Sequence, residues 1–443
     1  MKKILILGAG LVAGAHTRYL LEQPDFHVTV ASRTLSKAQD IVKGYPNGEA
    51  RQLNVNDEAA LEDLIRQADL SVSLLPYAHH PTVARLCIKH HKHMVTTSYV
   101  KETMAKLDGA AKAAGVILLN EIGVDPGIDH MAAMKIIHQV QRDGGEITSF
   151  KSWCGGLPAP EANTNPYGYK FSWSPKGVLL ASRNSARYLE DGKEVVIPGE
   201  ELFDHRWIVP VEVEGKTIVF EGYPNRDSLP YMKTYGIKTT KTMFRGTLRN
   251  AGWCDTLKKI VDLGMIETEK LDGIAGLTFA QLTARLIGSD GNLRKDLAAH
   301  LEIAEDSEVI ERLEWLGLLS DDPLPAKKNT PIDILTAQML QKMRYAEGER
   351  DLLLLQHEFV AEYPDHKQEI TATMVDFGIP HGDTSMSRTV GLPAAIGVRL
   401  ILQGKINLTG VHTPVVPEIY EPVLAELEKL GIGFVETWET VKK

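Results

Sequence analysis

The stretch Ile4-Leu5-Ile6-Leu7-Gly8-Ala9-Gly10-Leu11-Val12-Ala13 decides the fold. Four consecutive apolar residues suit a parallel strand covered on both faces. Gly8-Ala9-Gly10 supplies a turn, and residues 11–21 follow with helical spacing. In the pattern G-x-G-x-x-A the first glycine permits a tight bend. The second lets backbone amides approach a pyrophosphate, and the small third residue lets the helix close on the strand. Alone the pattern is unspecific, because any tight strand-to-helix turn favours glycine. Its place between an apolar strand and a helix gives it weight.

Outward from that turn, short strand-like runs at 27–31, 53–55, 70–75, 93–97 and 116–119 alternate with helical segments. Six strands joined through helices over short connections predict an α/β fold with a Rossmann-type doubly wound parallel sheet. The character changes after Gly127. Residues 129–141 read as a helix. Residues 145–255 then mix strand-like runs (147–153, 207–213, 217–220) with Gly-, Pro- and aromatic-rich loops, the mark of an α+β catalytic domain with an antiparallel sheet. Residues 255–347 are helical and charged, a helical subdomain. Strands at 359–361 and 369–375, helices at 388–402 and 419–430, and a strand at 434–436 complete the chain. The expected organisation is a dinucleotide-binding domain at 1–128 completed by 386–443, an α+β substrate domain at 129–256 completed by 346–385, and a helical subdomain at 257–345.

A chain of 443 residues with 43% hydrophobic and 24% charged content is globular in composition. The net charge of −9 argues against nucleic acid as a partner. No apolar run approaches the roughly 20 residues of a membrane helix. Three scattered cysteines, Cys87, Cys154 and Cys254, fit neither a disulfide framework nor a structural zinc site. A soluble cytoplasmic protein is expected, acting on a small molecule. Whether it forms a homodimer is left open.

The end of the second strand meets the adenosine ribose in such folds, and NAD enzymes place Asp or Glu there. Here the residues are Ala31-Ser32-Arg33-Thr34. Arg33 can pair with a 2′-phosphate while Ser32 and Thr34 donate hydrogen bonds, so NADP is expected; the plain alternative is a solvated residue at a helix start. Leu75-Pro76-Tyr77 and Thr97-Ser98-Tyr99 end later strands and should face the nicotinamide half, although Tyr77 could be a packed loop aromatic. In Asn120-Glu121-Ile122-Gly123-Val124-Asp125-Pro126-Gly127-Ile128-Asp129-His130, Asp125 is a substrate or acid/base candidate and Asp129 reads as a helix N-cap. Cys154-Gly155-Gly156-Leu157-Pro158-Ala159-Pro160 reads as a loop near a ligand, with Cys154 either a reactive group or a buried small hydrophobe. Arg226, Arg245 and Arg249, set among aromatics, suit a substrate bearing carboxylates or structural ion pairs. The histidine pairs and clusters at 79–80 and 90–93 lack metal-ligand spacing and read as solvated faces, and no metal is expected.

These segments, with Val95-Thr96-Thr97-Ser98-Tyr99-Val100, Gly168-Tyr169-Lys170-Phe171-Ser172-Trp173-Ser174, Tyr223-Pro224-Asn225-Arg226-Asp227-Ser228, Arg245-Gly246-Thr247-Leu248-Arg249, Glu347-Gly348-Glu349-Arg350-Asp351 and Thr389-Val390-Gly391-Leu392-Pro393, resemble the saccharopine dehydrogenase (L-glutamate-forming) family over nearly the whole chain. The resemblance implies condensation of an aminoadipate semialdehyde with glutamate and reduction of the imine by NADPH, or the reverse oxidation. Carried over by position, it implies substrate contacts at Ser98, Tyr99, Asp125, Trp173, Arg226, Thr247, Leu248 and Arg249. It implies cofactor contacts at Gly8, Gly10, Leu11, Val12, Ser32, Arg33, Thr34, Val55, Leu75, Pro76, Tyr77, Thr97 and Ser98. Val124, Asp125, Gly127, Ile128, Asp129 and His130 join that cofactor set. Fungal NADP enzymes of the family carry Cys where this chain has Ser32. Asp125 is the first candidate for the catalytic acid, with Cys154 behind it. A carboxynorspermidine-type synthase and a non-catalytic NADP-binding sensor are the competing readings.

Overall fold

A buried parallel strand needs cover on both faces, and the apolar runs of the first 120 residues obtain it. In the computed structural model, which describes residues 1–442, they form β1 (Lys2–Leu7), β2 (Phe26–Ser32), β3 (Gly48–Gln52), β4 (Leu70–Ser73), β5 (His93–Val95) and β6 (Ile117–Leu119). Ile4, Ile6, Leu7, Val28, Val30, Leu70 and Val72 are buried within them. The order β3-β2-β1-β4-β5-β6 continues into a seventh strand, Gly410–His412, and each neighbouring pair is parallel. The sheet is the doubly wound one that the sequence predicts. Its order reverses between β1 and β4, so a crevice opens beyond the carboxyl ends of those two strands.

The third strand lies at 48–52, and not at Leu53-Asn54-Val55. An edge strand needs only one backbone partner, here β2. Its polar Glu49, Arg51 and Gln52 therefore form the ladder, while Leu53 turns into the core beside Leu5 and Leu61.

The chain divides into two compact units: residues Met1–Glu146 with Met374–Thr437, and Ile147–Thr373 with the chain from Trp438 onward. Within the first, helix Ala13–Leu21 lies against helix Ser385–Leu402. Gly391 makes the approach possible, since a Cβ there would stand 3.0 Å from the Val12 carbonyl oxygen and from the His16 nitrogen. The buried His16 Nδ1 is 3.0 Å from the Gly391 carbonyl oxygen.

The second unit holds β7 (Glu146–Pro158), β8 (Ala186–Glu190), β9 (Lys193–Ile197), β10 (Trp207–Val213), β11 (Lys216–Pro224), β12 (Thr242–Arg249), β13 (Asp351–Glu362) and β14 (His366–Phe377). They form a sheet in the order β10-β11-β12-β7-β13-β14, extended by Val435–Lys442, with β8 and β9 attached at β12. The expected loop from Cys154 remains strand as far as Pro158. Backbone pairing with β12 continues through Cys154 opposite Thr247, and Gly155 leaves room for the Leu248 side chain. Helices fill the chain between β12 and β13, several opened by side-chain caps from Thr278, Asn292, Ser307 and Thr330. No helix of the described residues is long and apolar enough to cross a membrane.

Candidate active site

The cofactor candidates follow the carboxyl ends of β1 to β6, where open α/β sheets bind ligands. After β1, Gly8 adopts φ +116°, and a Cβ there would press on the Leu74 backbone at 3.1 Å. Its N–H donates to the Ala31 carbonyl at 2.9 Å. At Gly10 a Cβ would meet nothing within 4 Å. Helix Ala13–Leu21 starts at Val12, whose side chain cannot accept a hydrogen bond, and Leu11 before it is exposed. A helix start with an apolar cap and open space beside it fits an anion such as a pyrophosphate.

At the end of β2, Arg33 is exposed and makes no ion pair among the described residues. Thr34 is the N-cap of helix Leu35–Val42 without a side-chain bond to it. Ser32 Oγ accepts from the Thr34 N–H at 3.3 Å. A cation and uncommitted hydroxyls at a second helix start fit a 2′-phosphate. Val55 and Leu75 pack partly against the core beneath, and Pro76 and Tyr77 are exposed, with Lys101 Nζ 3.5 Å from the Tyr77 ring centroid.

Beyond β5 and β6 the chain brings Tyr99 and Asp125 together, the Tyr99 hydroxyl donating to Asp125 Oδ1 at 3.0 Å. The turn that carries Asp125 folds tightly on itself. Gly123 N–H donates to the Pro126 carbonyl, and Ile128 N–H to the Gly123 carbonyl, each at 2.9 Å. Gly127 has φ +149°, and a Cβ on it would fall 2.0 Å from the Gly123 oxygen. Asp129, read as an N-cap, instead lies inside the first turn of helix Ile128–Arg142, where Gly127 holds the cap position. Its Oδ1 accepts from the Gly127 N–H at 2.5 Å. Buried His130 Nε2 is 2.8 Å from Glu121 Oε2, and Glu121 Oε1 accepts from the Val100 N–H at 2.7 Å. Thr97 stands against the turn, its Cβ 3.1 Å from where a Cβ on Gly123 would lie, and Val124 and Ile128 are buried within it.

His80, expected on a solvated face, is buried. Its Nδ1 is 2.8 Å from Ser73 Oγ, and its Nε2 is 2.8 Å from Ser98 Oγ. Burial, with His79 adding to it, lowers its pKa to about 4. Sequence pattern missed it because the neighbouring His79 masks the role. The available signal was a histidine one turn after β4 with serines at the ends of β4 and β5. A cavity of about 340 Å³ nearby is lined by Tyr77, His80, Tyr99 and Asn120 among others.

In the second unit, residues two apart on β12 share a face, which puts Arg245, Thr247 and Arg249 together, with Cys154 and Tyr223 across from Thr247. Arg249 is 5% exposed, and its guanidinium lies 4.9 Å from the Tyr169 ring and 5.4 Å from the Trp253 ring. Nη1 donates to the Leu248 carbonyl at 2.7 Å, while buried Nε has no hydrogen-bond partner. The neighbouring carboxylate, Glu221, instead accepts from the Gly252 and Cys254 amides at 2.8 and 3.0 Å. Arg245 stacks on Tyr231 at 4.4 Å. Arg226 is exposed with φ +59°, its carbonyl accepting from Arg187 N–H at 2.9 Å. Trp173 is half-buried just before helix Pro175–Ala181, and Cys154 is half-buried on β7. Tyr169 and Trp253 flank Arg249; in the sequence Tyr169 stands out only within a motif, and nothing singles out Trp253.

The doubly wound sheet with its glycine turn places the chain among the Rossmann-type nucleotide-binding oxidoreductases. The model of the saccharopine dehydrogenase NADP binding domain matches residues 4–119, and that of the saccharopine dehydrogenase C-terminal domain matches residues 123–432. The chain belongs to the saccharopine dehydrogenase family. It is 44% identical to the saccharopine dehydrogenase (NADP(+), L-glutamate-forming) of Schizosaccharomyces pombe over 98% of this chain and 99% of that protein. It is 36% identical to the mitochondrial alpha-aminoadipic semialdehyde synthase of Mus musculus over 100% of this chain and 48% of that one. The structure of the apo, histidine-tagged saccharopine dehydrogenase (L-Glu forming) from Saccharomyces cerevisiae matches with a TM-score of 0.90 at 38% identity, covering 99% of this chain and 100% of that one.

The packing of the 123–130 turn carries a stability prediction. Gly127→Ala should lower the unfolding free energy by roughly 2–4 kcal/mol, read as a drop in the urea midpoint. An unchanged midpoint contradicts the packing described.

Proposed function

We propose that the protein is an NADP-dependent saccharopine dehydrogenase acting on CH–NH bonds in lysine metabolism. It interconverts saccharopine with L-glutamate and L-2-aminoadipate 6-semialdehyde. The observation that carries the substrate reading is Arg249, a buried cation fixed by two aromatic rings, whose Nε has no partner. A buried guanidinium is costly unless an anion meets it, and a substrate carboxylate supplies one with bidentate geometry. A carboxynorspermidine-type adduct, built on a diamine, carries fewer carboxylates and so needs fewer cationic contacts than Arg226, Arg245 and Arg249 offer. A sensor would have no use for them.

In this reading Gly10, Leu11 and Val12 offer backbone amides to the pyrophosphate, Gly8 shapes the turn with its own N–H held by the Ala31 carbonyl, and Arg33 with Ser32 and Thr34 takes the 2′-phosphate. NADPH, when bound, supplies the hydride that reduces the imine carbon. Arg226, Thr247 and Arg249 hold the carboxylates of the adduct, with Trp173 and the Leu248 backbone as further contacts. Imine formation expels a hydroxyl from the carbinolamine, and that hydroxyl must leave protonated. Asp125 is the proposed acid, because the Tyr99 hydroxyl fixes one of its oxygens; Cys154 is the second candidate. Holding three carboxylates in one orientation supplies much of the acceleration through positioning. The free thiols of Cys87, Cys154 and Cys254 suit the cytoplasm.

The deciding assay supplies purified protein with the semialdehyde and either glutamate or diaminopropane, using NADPH and NADH in parallel. Turnover with glutamate and NADPH is expected, and turnover confined to the diamine would overturn the reading. Arg33→Ala should raise the KM for NADP by about tenfold or more and leave that for NAD within about twofold; equal effects on both would remove the 2′-phosphate assignment. Arg249→Met exchanges a cation for an apolar chain of similar length. Its substrate KM should rise roughly a hundredfold, while the thermal midpoint holds or rises because no charge is left buried. A lowered midpoint with unchanged KM would mark Arg249 as structural.

A further inference from the structure

The proton accounting around His80 extends the proposed function and rests on its placement of Ser98 against a ligand. Four side chains meet there. Thr96 Oγ1 gives its single proton to the Ser73 carbonyl at 2.8 Å. Its oxygen can therefore only accept, and it does so from the Ser98 N–H at 3.4 Å. The same oxygen lies 3.4 Å from His80 Nε2, and Ser98 Oγ lies 2.8 Å from that nitrogen.

A neutral imidazole carries one N–H, and the burial of His80 keeps it neutral. Two oxygens around Nε2, one of them an obligate acceptor, fit a proton on Nε2. Nδ1 is then an acceptor, and Ser73 Oγ at 2.8 Å is its donor. The chain of donation runs from the Ser73 hydroxyl to Nδ1, and from Nε2–H to Ser98 Oγ. Ser98 receives a proton from within the protein, so its own hydroxyl proton must point elsewhere. His80 and Tyr99 line the adjoining cavity of about 340 Å³.

We propose that His80 is a positioning residue whose Nε2–H tautomer leaves the Ser98 hydroxyl proton available to an sp² oxygen of the bound ligand. Two oxygens of that chemistry are available in the proposed reaction: a substrate carboxylate and the carboxamide oxygen of the nicotinamide. His80 touches neither. It acts by keeping its own proton on Nε2, so that Ser98 cannot give its hydroxyl proton to the imidazole.

The tautomer is measured on full-length protein labelled with ¹⁵N-histidine at pH 7, with His80 assigned by the signals lost in His80→Gln. Protonated Nε2 with bare Nδ1 is expected, and the reverse overturns the proposal whatever the substrate proves to be. The functional arm is a double-mutant cycle. Ser98→Ala and His80→Leu should each cost about tenfold to thirtyfold, and the double variant should lose less than about twofold beyond Ser98→Ala. His80→Gln, which retains an N–H donor, should recover activity to within about threefold of wild type. A fall in kcat/KM for saccharopine at unaltered NADPH affinity assigns the carboxylate, and weakened NADPH binding in a fluorescence titration assigns the carboxamide. Additive losses, or no effect of Ser98→Ala on either quantity, overturn the proposal. Should His80→Leu not fold, Ser73→Ala replaces it in the cycle. Wild-type protein without saccharopine turnover would sink the substrate reading alone, since the tautomer and the NADPH titration remain decisive for His80.

Discussion

Three strand ends are tied together at one point, and the nucleotide half of the molecule is organised around that knot. Gly8 N–H donates to the Ala31 carbonyl, and Leu74 N–H donates to the Leu7 carbonyl, each at 2.9 Å. The two bonds lock the ends of β2 and β4 to the end of β1, where the sheet reverses its winding order. No Cβ fits comfortably at Gly8 because the Leu74 backbone stands against it. With that backbone fixed, the first turn of the next helix is aimed outward beyond the sheet. The loops after β4, β5 and β6 then reach the same side, because all these strands run in one direction.

The anion sites proposed for the two units rest on different physics. In the first, exposed amides at helix starts and the exposed Arg33 face solvent. Such a site is solvated before the ligand arrives and loses little stability for existing. In the second, Arg249 is sealed among rings with part of its hydrogen-bonding capacity unused. A buried donor left in that state carries a desolvation cost that a bound anion would offset. A soft, wet grip suits a cofactor that must come and go, and a dry, pre-formed one suits selection by shape and charge.

The sheet of the first unit was legible because buried parallel strands are written as apolar runs and the glycine turn has few alternatives. β3 was misplaced since an edge strand is recognised by its neighbour, and Gly48-Glu49-Ala50-Arg51-Gln52 shows no apolar signal. β12 was not read as a strand for a related reason. Its Arg245, Thr247 and Arg249 point into the protein, opposite to the usual rule for charged residues. Among site residues, those in motifs of Gly, Pro and Asp stood out. His80 and Trp253 carry no motif of their own, and Tyr169 meets Arg249 only because the fold brings together residues 80 apart in sequence.

The contact of Gly391 with Val12 and His16 bears on how the protein is made. The helix that follows the glycine turn is backed by a segment that leaves the ribosome after the whole of Ile147–Thr373. The 227 residues of Ile147–Thr373 lie between Glu146 and Met374, and at roughly 5–20 residues per second that is a wait of roughly 10–50 s. During that interval His16 and its apolar neighbours lack their cover from Gly391, and by the time it arrives every strand of the second sheet except Val435–Lys442 has been made.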